Sequence, residues 1–564
     1  MKLIFINPSK TAEASDHVVN MALFWLVSVL EEKGYKSKIY TVLGDSFEQE
    51  IDRIVQEAEP EWIGLTCKWW NTLYSVTEIS KVIRRKYPDI KIFSGGHTAT
   101  VFAKEFLEKN IVDAVLMGDS EKTIIELVEG KTGPGIADRN TCDFSERDFQ
   151  CEYILKNNYE LKGIDEYIDR PELVMAYVWT GRGCSHNCFY CAENLSTAGK
   201  IFGKRIPFMR STENVANDIM KFGERSHIIF DYEYPSFEGT EIYMKDLFGR
   251  LPEEIDYRCY FFSWGLPSKG LIDLFSERFS YSCICIDIQC FSEKLRKKLS
   301  SENLIKPAFS NREFEEIIEY ADSKENVIID VTGIVGYPYE TEADREETLN
   351  YILELHRRFK CVRDARPSPL HVIPGTDMTS SEEYYNLFVE RRTYDDFYRF
   401  TKEAFEKKLK YYDKSRNEHP YGVYPKDNPR SVIEFMEKFD KTVGEVRNNE
   451  VKITILEEAD VINVHIEDKY NPLKSILETM EKITLMPDAG SRKLRLSLGY
   501  FTWIHNSWID YTSESGENCA TLLGIGRSPQ MLEQKCMDFF KKFKSVELAD
   551  SGSSCWGVLG KTLK

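Results

Sequence analysis

Cys184, Cys188 and Cys191 stand in the run GRGCSHNCFYCAEN, spaced Cys-x3-Cys-x2-Cys. Three thiolates packed into one short loop suit a soft metal centre. Three cysteines leave one iron of a four-iron cube without a protein ligand, and an open iron binds a substrate or cofactor directly. Zinc is the rival. A structural zinc site usually draws four ligands in two spaced pairs, and no matching second pair sits at a plausible distance. His186 lies inside the triplet, with its side chain expected to point away from the three thiols. Tyr190 precedes the last cysteine, and the apolar run MAYVWTGRG leads into the first.

The chain that carries this loop has 564 residues and 14 cysteines. At about 150 residues per domain that length predicts three to four domains. The opening MKLIFINPSK has too short an apolar run for a secretory signal. A small disulfide scaffold is excluded. The cysteines are expected to be free, catalytic or metal-bound in a reducing cytoplasm. No apolar run reaches the roughly 18 residues that suggest a membrane-spanning helix. Lys plus Arg number 74 against 92 Asp plus Glu, a net charge of −18. That balance argues against a broad nucleic-acid surface. Aromatic residues make 13% of the chain, which suits flat apolar ligands or deep pockets.

Residues 1–130 alternate strand and helix. LIFINP, KSKIYTVL, EWIGLTC, KIFSGG and DAVLMG read as strands. HVVNMALFWLVSVLEEKG, FEQEIDRIVQEAE, VTEISKVIRRKYP, a short stretch near Val101–Lys109 and SEKTIIELVEG read as helices. Such alternation predicts a parallel sheet with ligands at the carboxyl ends of its strands. Those ends carry small and polar residues: Thr66 with Lys68, Trp69 and Trp70; Ser94 with Gly95, Gly96, His97 and Thr98; Gly118 with Asp119, Ser120 and Glu121. Glycines there let the backbone approach a ligand closely.

IGLTCKWWNT, KIFSGGHTAT and DAVLMGDSEKT together resemble the cobalamin-binding domain that precedes cobalamin-dependent radical S-adenosylmethionine (SAM) enzymes. The common Asp-x-His-x-x-Gly motif is absent, and the family's Gly-Glu-Gly-Glu stands here as Gly-Asp-Ser-Glu. The resemblance implies a Rossmann-like domain holding base-off cobalamin without a protein imidazole below the cobalt. It assigns Thr66, Lys68, Trp69, Trp70, Gly95, Gly96, His97, Thr98, Gly118 and Glu121 to cofactor binding. His97 is either a cobalt ligand or a polar turn residue near the nucleotide tail. Trp69 and Trp70 either line the corrin's lower face or pack under the third strand.

The cysteine loop and residues 171–380 resemble the radical SAM superfamily, with its partial (β/α)6 barrel. SHIIFDYEYPSF is similar to the family's second strand, DYRCYFFSWG to the third, YSCICIDIQCF to the fourth, NVIIDVTGIVGYPYET to the fifth and RPSPLHVIPGTDM to the sixth. The resemblance implies a 4Fe-4S cluster on Cys184, Cys188 and Cys191, with SAM on the open iron near Tyr190. It places Asp231 and Glu233 against the methionine amino group or the substrate, Gln289 near the ribose, and Gly336 and Pro338 around adenine. Periodicity bears on the fourth strand independently: Cys283, Cys285, Asp287 and Gln289 share one face, and Ile284, Ile286 and Ile288 the other. The isoleucine face should meet outer helices and the polar face the barrel interior, with the two cysteines as small core residues.

Residues 131–170 read as a linker in which Cys142 and Cys151 are free thiols. Residues 381–564 read as an α+β domain with substrate binding as its candidate role, opening on the amphipathic stretch SEEYYNLFVERRTYDDFYRFTKEAFEKKLKYYDKSR. Tyr500, Phe501, Trp503 and Trp508 either line a substrate channel or alternate on a half-buried strand. Cys519, Cys536 and Cys555 are too scattered for an auxiliary cluster.

The two resemblances imply a cobalamin-dependent radical SAM methyltransferase. It would methylate an unactivated carbon of a natural-product or peptide substrate through methylcobalamin and a 5′-deoxyadenosyl radical. An external electron donor such as flavodoxin or ferredoxin is implied, with neither nucleic acid nor membrane as partner. The same motifs serve an enzyme of rearrangement, ring contraction or cyclisation. A corrinoid or iron-sulfur sensor without catalysis is a third reading.

Overall fold

The computed structural model describes residues 2–9, 19–131, 135–138, 161, 163–171, 174, 176–201, 208–222, 227–231, 239–253, 257–279, 281–380, 385–407, 422–426, 428–457, 460–467, 479, 481–483, 485–486, 493–498 and 545–548. Glu233, Cys142, Cys151, Cys519, Cys536, Cys555, Tyr500, Phe501, Trp503 and Trp508 lie outside the described residues.

The first sheet contains β1 (Leu3–Asn7), β2 (Ser37–Thr41), β3 (Trp62–Thr66), β4 (Lys91–Gly95), β5 (Ala114–Leu116) and β6 (Ile136–Asp138), in the order β2-β1-β3-β4-β5-β6. The first five are parallel, and β6 returns antiparallel to β5. The helices are α1 (Ala22–Glu32), α2 (Phe47–Ala58), α3 (Leu73–Lys86), α4 (His97–Val101), α5 (Ala103–Glu108) and α6 (Glu121–Val128). Strands covered on both faces must be largely apolar, and β1 is so up to Asn7: Leu3 and Phe5 enter one core, Ile4 and Ile6 the other. The chain runs outward from β1 to β2 and then crosses to β3. That reversal opens a crevice at the strand carboxyl ends.

Two stretches expected to be linker belong to this sheet. β6 is one. The other runs beside β2, where Ile168 bridges Ile39 and Asp169 accepts the Thr41 amide at 2.9 Å and pairs with Arg53 at 2.9 Å. β6 is a three-residue edge strand, too short for alternation to show.

The second sheet follows from β7 (Ala176–Trp179). A two-strand ribbon comes next, β8 (Gly181–Arg182) antiparallel to β9 (Phe208–Met209), with α7 (Leu195–Ile201) between them. Then come α8 (Thr212–Lys221), β10 (His227–Asp231), α9 (Thr240–Phe248), β11 (Arg258–Ser263), α10 (Lys269–Arg278), β12 (Tyr281–Gln289), α11 (Glu293–Ser301), α12 (Asn311–Asp322), β13 (Val327–Val335), α13 (Glu342–Arg358) and β14 (Val362–Pro369). The six strands β7, β10, β11, β12, β13 and β14 are parallel and adjacent in chain order. This is the expected partial (β/α)6 barrel. Ile284, Ile286 and Ile288 sit in the apolar core with Phe275 of α10 and Phe314 of α12.

After the barrel come α14 (Asp377–Ser380), β15 (Leu387–Val389), α15 (Tyr394–Glu406), β16 (Val423–Pro425) and α16 (Arg430–Glu450). β17 (Lys452–Glu457), β18 (Val461–Glu467), β19 (Lys493–Leu498) and β20 (Ser545–Leu548) form a separate sheet. Its β17 and β18 are antiparallel, and β18, β19 and β20 run parallel.

The amphipathic stretch begins later than its pattern suggests. β15 comes first, and the helix starts at a capping box between Thr393 and Asp396. Nor does α15 serve a C-terminal domain. It lies on the first domain, with Phe397 5.8 Å and Phe400 5.7 Å from Trp70, and Phe405 5.2 Å from Phe47, ring centre to ring centre. The Tyr394 hydroxyl meets Thr77 Oγ1 at 2.7 Å. Among the described residues, no helix is long and apolar enough to cross a membrane.

Phe397 is fully buried at this junction. Its replacement by alanine is expected to cost about 3–5 kcal/mol, read as a lower urea midpoint. A loss below 1 kcal/mol would show that α15 is dispensable to the first domain.

Candidate functional site

A cleft opens at the carboxyl ends of β1, β3, β4 and β5, with about 830 Å³ of empty space including its open mouth. Thr66, Lys68, Gly95, Gly96, His97, Gly118 and Glu121 all line it. Asn20 donates to Thr66 Oγ1 at 3.0 Å. Gly96 has φ +102°, and a Cβ there would come within 2.7 Å of the Lys68 Cα. Only glycine lets the two strand ends lie this close.

Other expected residues of this domain fall elsewhere. Trp70 is buried against Phe397 and Phe400, with the Arg391 guanidinium 5.8 Å from its ring. Its surface is taken up by α15, so it is a packing residue and not a wall of the cleft. Trp69 is outside the lining too, with Lys68 Nζ 5.3 Å from its ring. Thr98 is buried behind the wall, its amide on the Lys68 carbonyl at 3.2 Å. His97 lines the cleft, but its Nε2 lies 2.8 Å from the Pro374 carbonyl of the barrel. That contact ties the first domain to the segment that follows β14.

The cysteine loop closes the same cleft. Trp179, Arg182 and Glu193 complete the lining. In the loop, the His186 amide points to Cys184 Sγ and the Glu193 amide to Cys191 Sγ, each at 3.4 Å. Amides aimed at sulfur stabilise thiolate charge and tune a bound cluster. Asn194 braces the turn, donating to the Cys188 carbonyl at 2.6 Å and accepting from the Thr197 amide at 2.6 Å.

Burial pushes the Cys188 thiol up to about 11, with neighbouring Cys184 and Asp287 adding to the shift and Lys306 opposing it. Burial and Cys188 push Cys191 higher still. Burial raises the core thiols Cys283 and Cys285 in the same way, so the shift reports enclosure of the loop. Among the described residues, no three or more His, Cys, Asp and Glu side chains are grouped to hold one metal ion. A tetrahedral zinc needs its donors on one point, whereas an iron-sulfur cube takes each thiolate on a different iron.

Behind the loop stands the polar end of β12. Gln289 has φ +67°, and the register against β13 shifts between Asp287 and Gln289. The irregularity re-aims the side chain, and Gln289 Oε1 accepts the Tyr190 hydroxyl at 3.1 Å. Asp287 pairs with Lys306 at 2.9 Å, both buried, and Lys306 Nζ lies 4.7 Å from the Trp264 ring. The β13 mouth turns at Gly336, whose amide donates to Glu340 at 2.7 Å. Pro338 is buried in that turn. Asp231 ends β10, level with Trp179 on β7.

Sequence reasoning passed over Arg182, Glu193, Asn194, Asp287 and Lys306 as site residues. Arg182 and Glu193 were readable only as neighbours of the cysteines. Lys306 lies beyond α11, with no motif to mark it.

Residues 11–128 match the family model described as a B12 binding domain. A radical S-adenosylmethionine methyltransferase, TsrM from Kitasatospora setae, solved with cobalamin and a 4Fe-4S cluster, superposes with TM-score 0.52 at 16% identity, over 67% of this chain and 77% of that one. The fold is that of the cobalamin-dependent radical SAM enzymes. OxsB, another cobalamin-dependent SAM radical enzyme, superposes with TM-score 0.54 at 11% identity, over 100% of this chain and 79% of that one. Two curated relatives are similar in sequence over half or somewhat more of this chain. A tRNA-2-methylthio-N(6)-dimethylallyladenosine synthase of Bdellovibrio bacteriovorus is 24% identical over 301 residues, or 50% of this chain. The chain spans 59% of that protein's length. Cytidylyl-2-hydroxyethylphosphonate methyltransferase of Streptomyces wedmorensis is 20% identical over 394 residues, 57% of this chain and 70% of that protein.

Two outcomes are expected at this site. Gly96→Ala should force the β4 end away from Lys68 and weaken cobalamin binding at least tenfold, measured by absorbance titration; unchanged affinity would show that the cradle is not used. Burial raises Glu340 from 4.5 to about 7. The folded state then binds this proton more tightly than the unfolded one, so stability is highest at acid pH and declines as pH rises from 4.5 through 7. Urea midpoints at pH 5 and pH 8 should converge in Glu340→Gln relative to the unmodified chain.

Proposed function

We propose that the chain is a cobalamin-dependent radical SAM methyltransferase acting on an unactivated carbon of a natural-product or peptide substrate. One observation carries the reading: the cleft of the first domain and the three-cysteine loop share a wall, so ligands at the two mouths face each other. The likeness to a methyltransferase by sequence and the shared fold support it.

The groups, once bound, supply one-electron cleavage of a carbon–sulfur bond and methyl transfer. The chain's own residues hold and orient them. Cys184, Cys188 and Cys191 hold the cluster, and the His186 and Glu193 amides stabilise the sulfur charge. Gln289 and Tyr190 offer hydrogen bonds beside it, and Lys306 offsets the negative charge of the loop. Gly95, Gly96 and Gly118 let a flat ligand approach the backbone, and Glu121 offers an acceptor. Trp179 and the barrel mouth exclude water from the space between. An external electron donor such as flavodoxin or ferredoxin completes the system.

The test is an anaerobic incubation of reconstituted protein with SAM and a strong reductant, with and without cobalamin. Formation of both 5′-deoxyadenosine and S-adenosylhomocysteine, the latter only with cobalamin, is the expected result. 5′-Deoxyadenosine alone would favour rearrangement or cyclisation. Cys188→Ala is expected to lose the cluster absorbance and at least 99% of SAM cleavage. Retained cleavage in that variant would refute the cluster assignment.

A further inference from the structure

Arg182 and Glu193, on either side of the three cysteines, both line the cleft of the first domain. Arg182 stands two residues before Cys184 and is joined to it through Gly183 at φ +87°. Its guanidinium leaves the barrel and enters the first domain. Nη1 lies 3.3 Å from Asp119 Oδ1 and Nη2 2.6 Å from Glu121 Oε1. The guanidinium also lies 5.1 Å from the Trp179 ring centre. Side-chain exposures are 8% for Arg182, 8% for Asp119 and 3% for Glu121. One buried cation therefore serves two buried carboxylates.

Glu121 keeps a vacant acceptor. Its Oε2 is buried in the cleft wall and has no hydrogen-bond partner among the described residues. An unpaired carboxylate oxygen out of water is costly, and an amide N–H or hydroxyl on a ligand in the cleft would satisfy it. Such a donor draws carboxylate charge away from the guanidinium. Arg182 then sits differently, and it carries the backbone that enters the cysteine loop. At the far end of the loop, Glu193 faces the same cleft while its amide points to Cys191 Sγ at 3.4 Å.

We propose that Arg182 is a positioning residue that couples occupancy of the cleft to the cysteine loop, so that a corrinoid amide held at Glu121 and a cluster on the cysteines bias each other. This rests on the corrinoid and cluster reading above. Linkage is reciprocal: if the cluster changes cobalamin affinity, cobalamin changes the loop by the same factor.

The experiment measures the hydroxocobalamin dissociation constant of the full chain, anaerobically, with and without reconstituted cluster. The ratio of the two constants is the readout, and no turnover is involved. In the unmodified chain a ratio of about fivefold or more is expected, the lower end of ordinary couplings. Arg182→Lys keeps the charge but cannot fork across two carboxylates. Glu121→Gln keeps the shape and removes the charge at the other end. Both variants are expected to bind hydroxocobalamin with a ratio near one. A ratio of one in the unmodified chain, or the full ratio retained in both variants, overturns the coupling while leaving the cofactor reading intact. No binding of hydroxocobalamin by the unmodified chain overturns the cofactor reading and the coupling together.

Discussion

Trp25 and Trp179 stack with ring centres 6.2 Å apart and planes 19° apart. Trp25 belongs to α1 of the first domain and Trp179 ends the first barrel strand. The Arg210 guanidinium lies 4.4 Å from the Trp25 ring centre and pairs with Asp218 at 2.6 Å. Around this stack the apolar core runs without a break from Phe5 and Phe93 of the first sheet to Ile284 and Ile329 of the second. A continuous core does not let two domains turn freely. The facing of the two strand-end mouths is therefore set by packing, and each polar feature of the cleft depends on it. Arg182 reaches Glu121, and His97 reaches Pro374, because the stack fixes the distance between sheets.

The electrostatics of the cysteine loop follow from that enclosure. Burial favours the neutral form of the Cys188 thiol, and Asp287 presses the same way. Lys306 and the two sulfur-directed amides press the other way. Burial, with Lys306 second, also lowers the His186 imidazole below its ordinary value, so the histidine inside the triplet adds no competing cation at neutral pH.

What the sequence disclosed was local. The spacing of three cysteines, the alternation of strands and helices, and glycines at strand ends each depend on neighbours a few residues away. The isoleucine face of β12 could be read because alternation has a period of two. Partners distant in the chain could not be read. Trp70 carries the right chemistry for a flat ligand, yet its neighbour is a helix that begins over 300 residues later at Tyr394. The reach of Arg182 into the first domain was hidden for the same reason. Gln289 was placed by likeness, but the bulge that turns it toward Tyr190 leaves no mark in composition. β6 was lost to its three-residue length.

The docking of α15 on α3 has a consequence for how the chain is made. The first domain is synthesised complete, strand by strand, before the ribosome reaches the barrel. Its Phe47, Trp70, Tyr74 and Phe102 remain uncovered until the Tyr394–Glu406 segment has left the exit tunnel. At about 5–20 residues per second, the interval between Phe102 and Tyr394 lasts roughly 15–60 s. For that time a nascent chain exposes an aromatic surface that the finished protein hides. Transiently exposed apolar surface of this kind is where a folding chain is most open to aggregation.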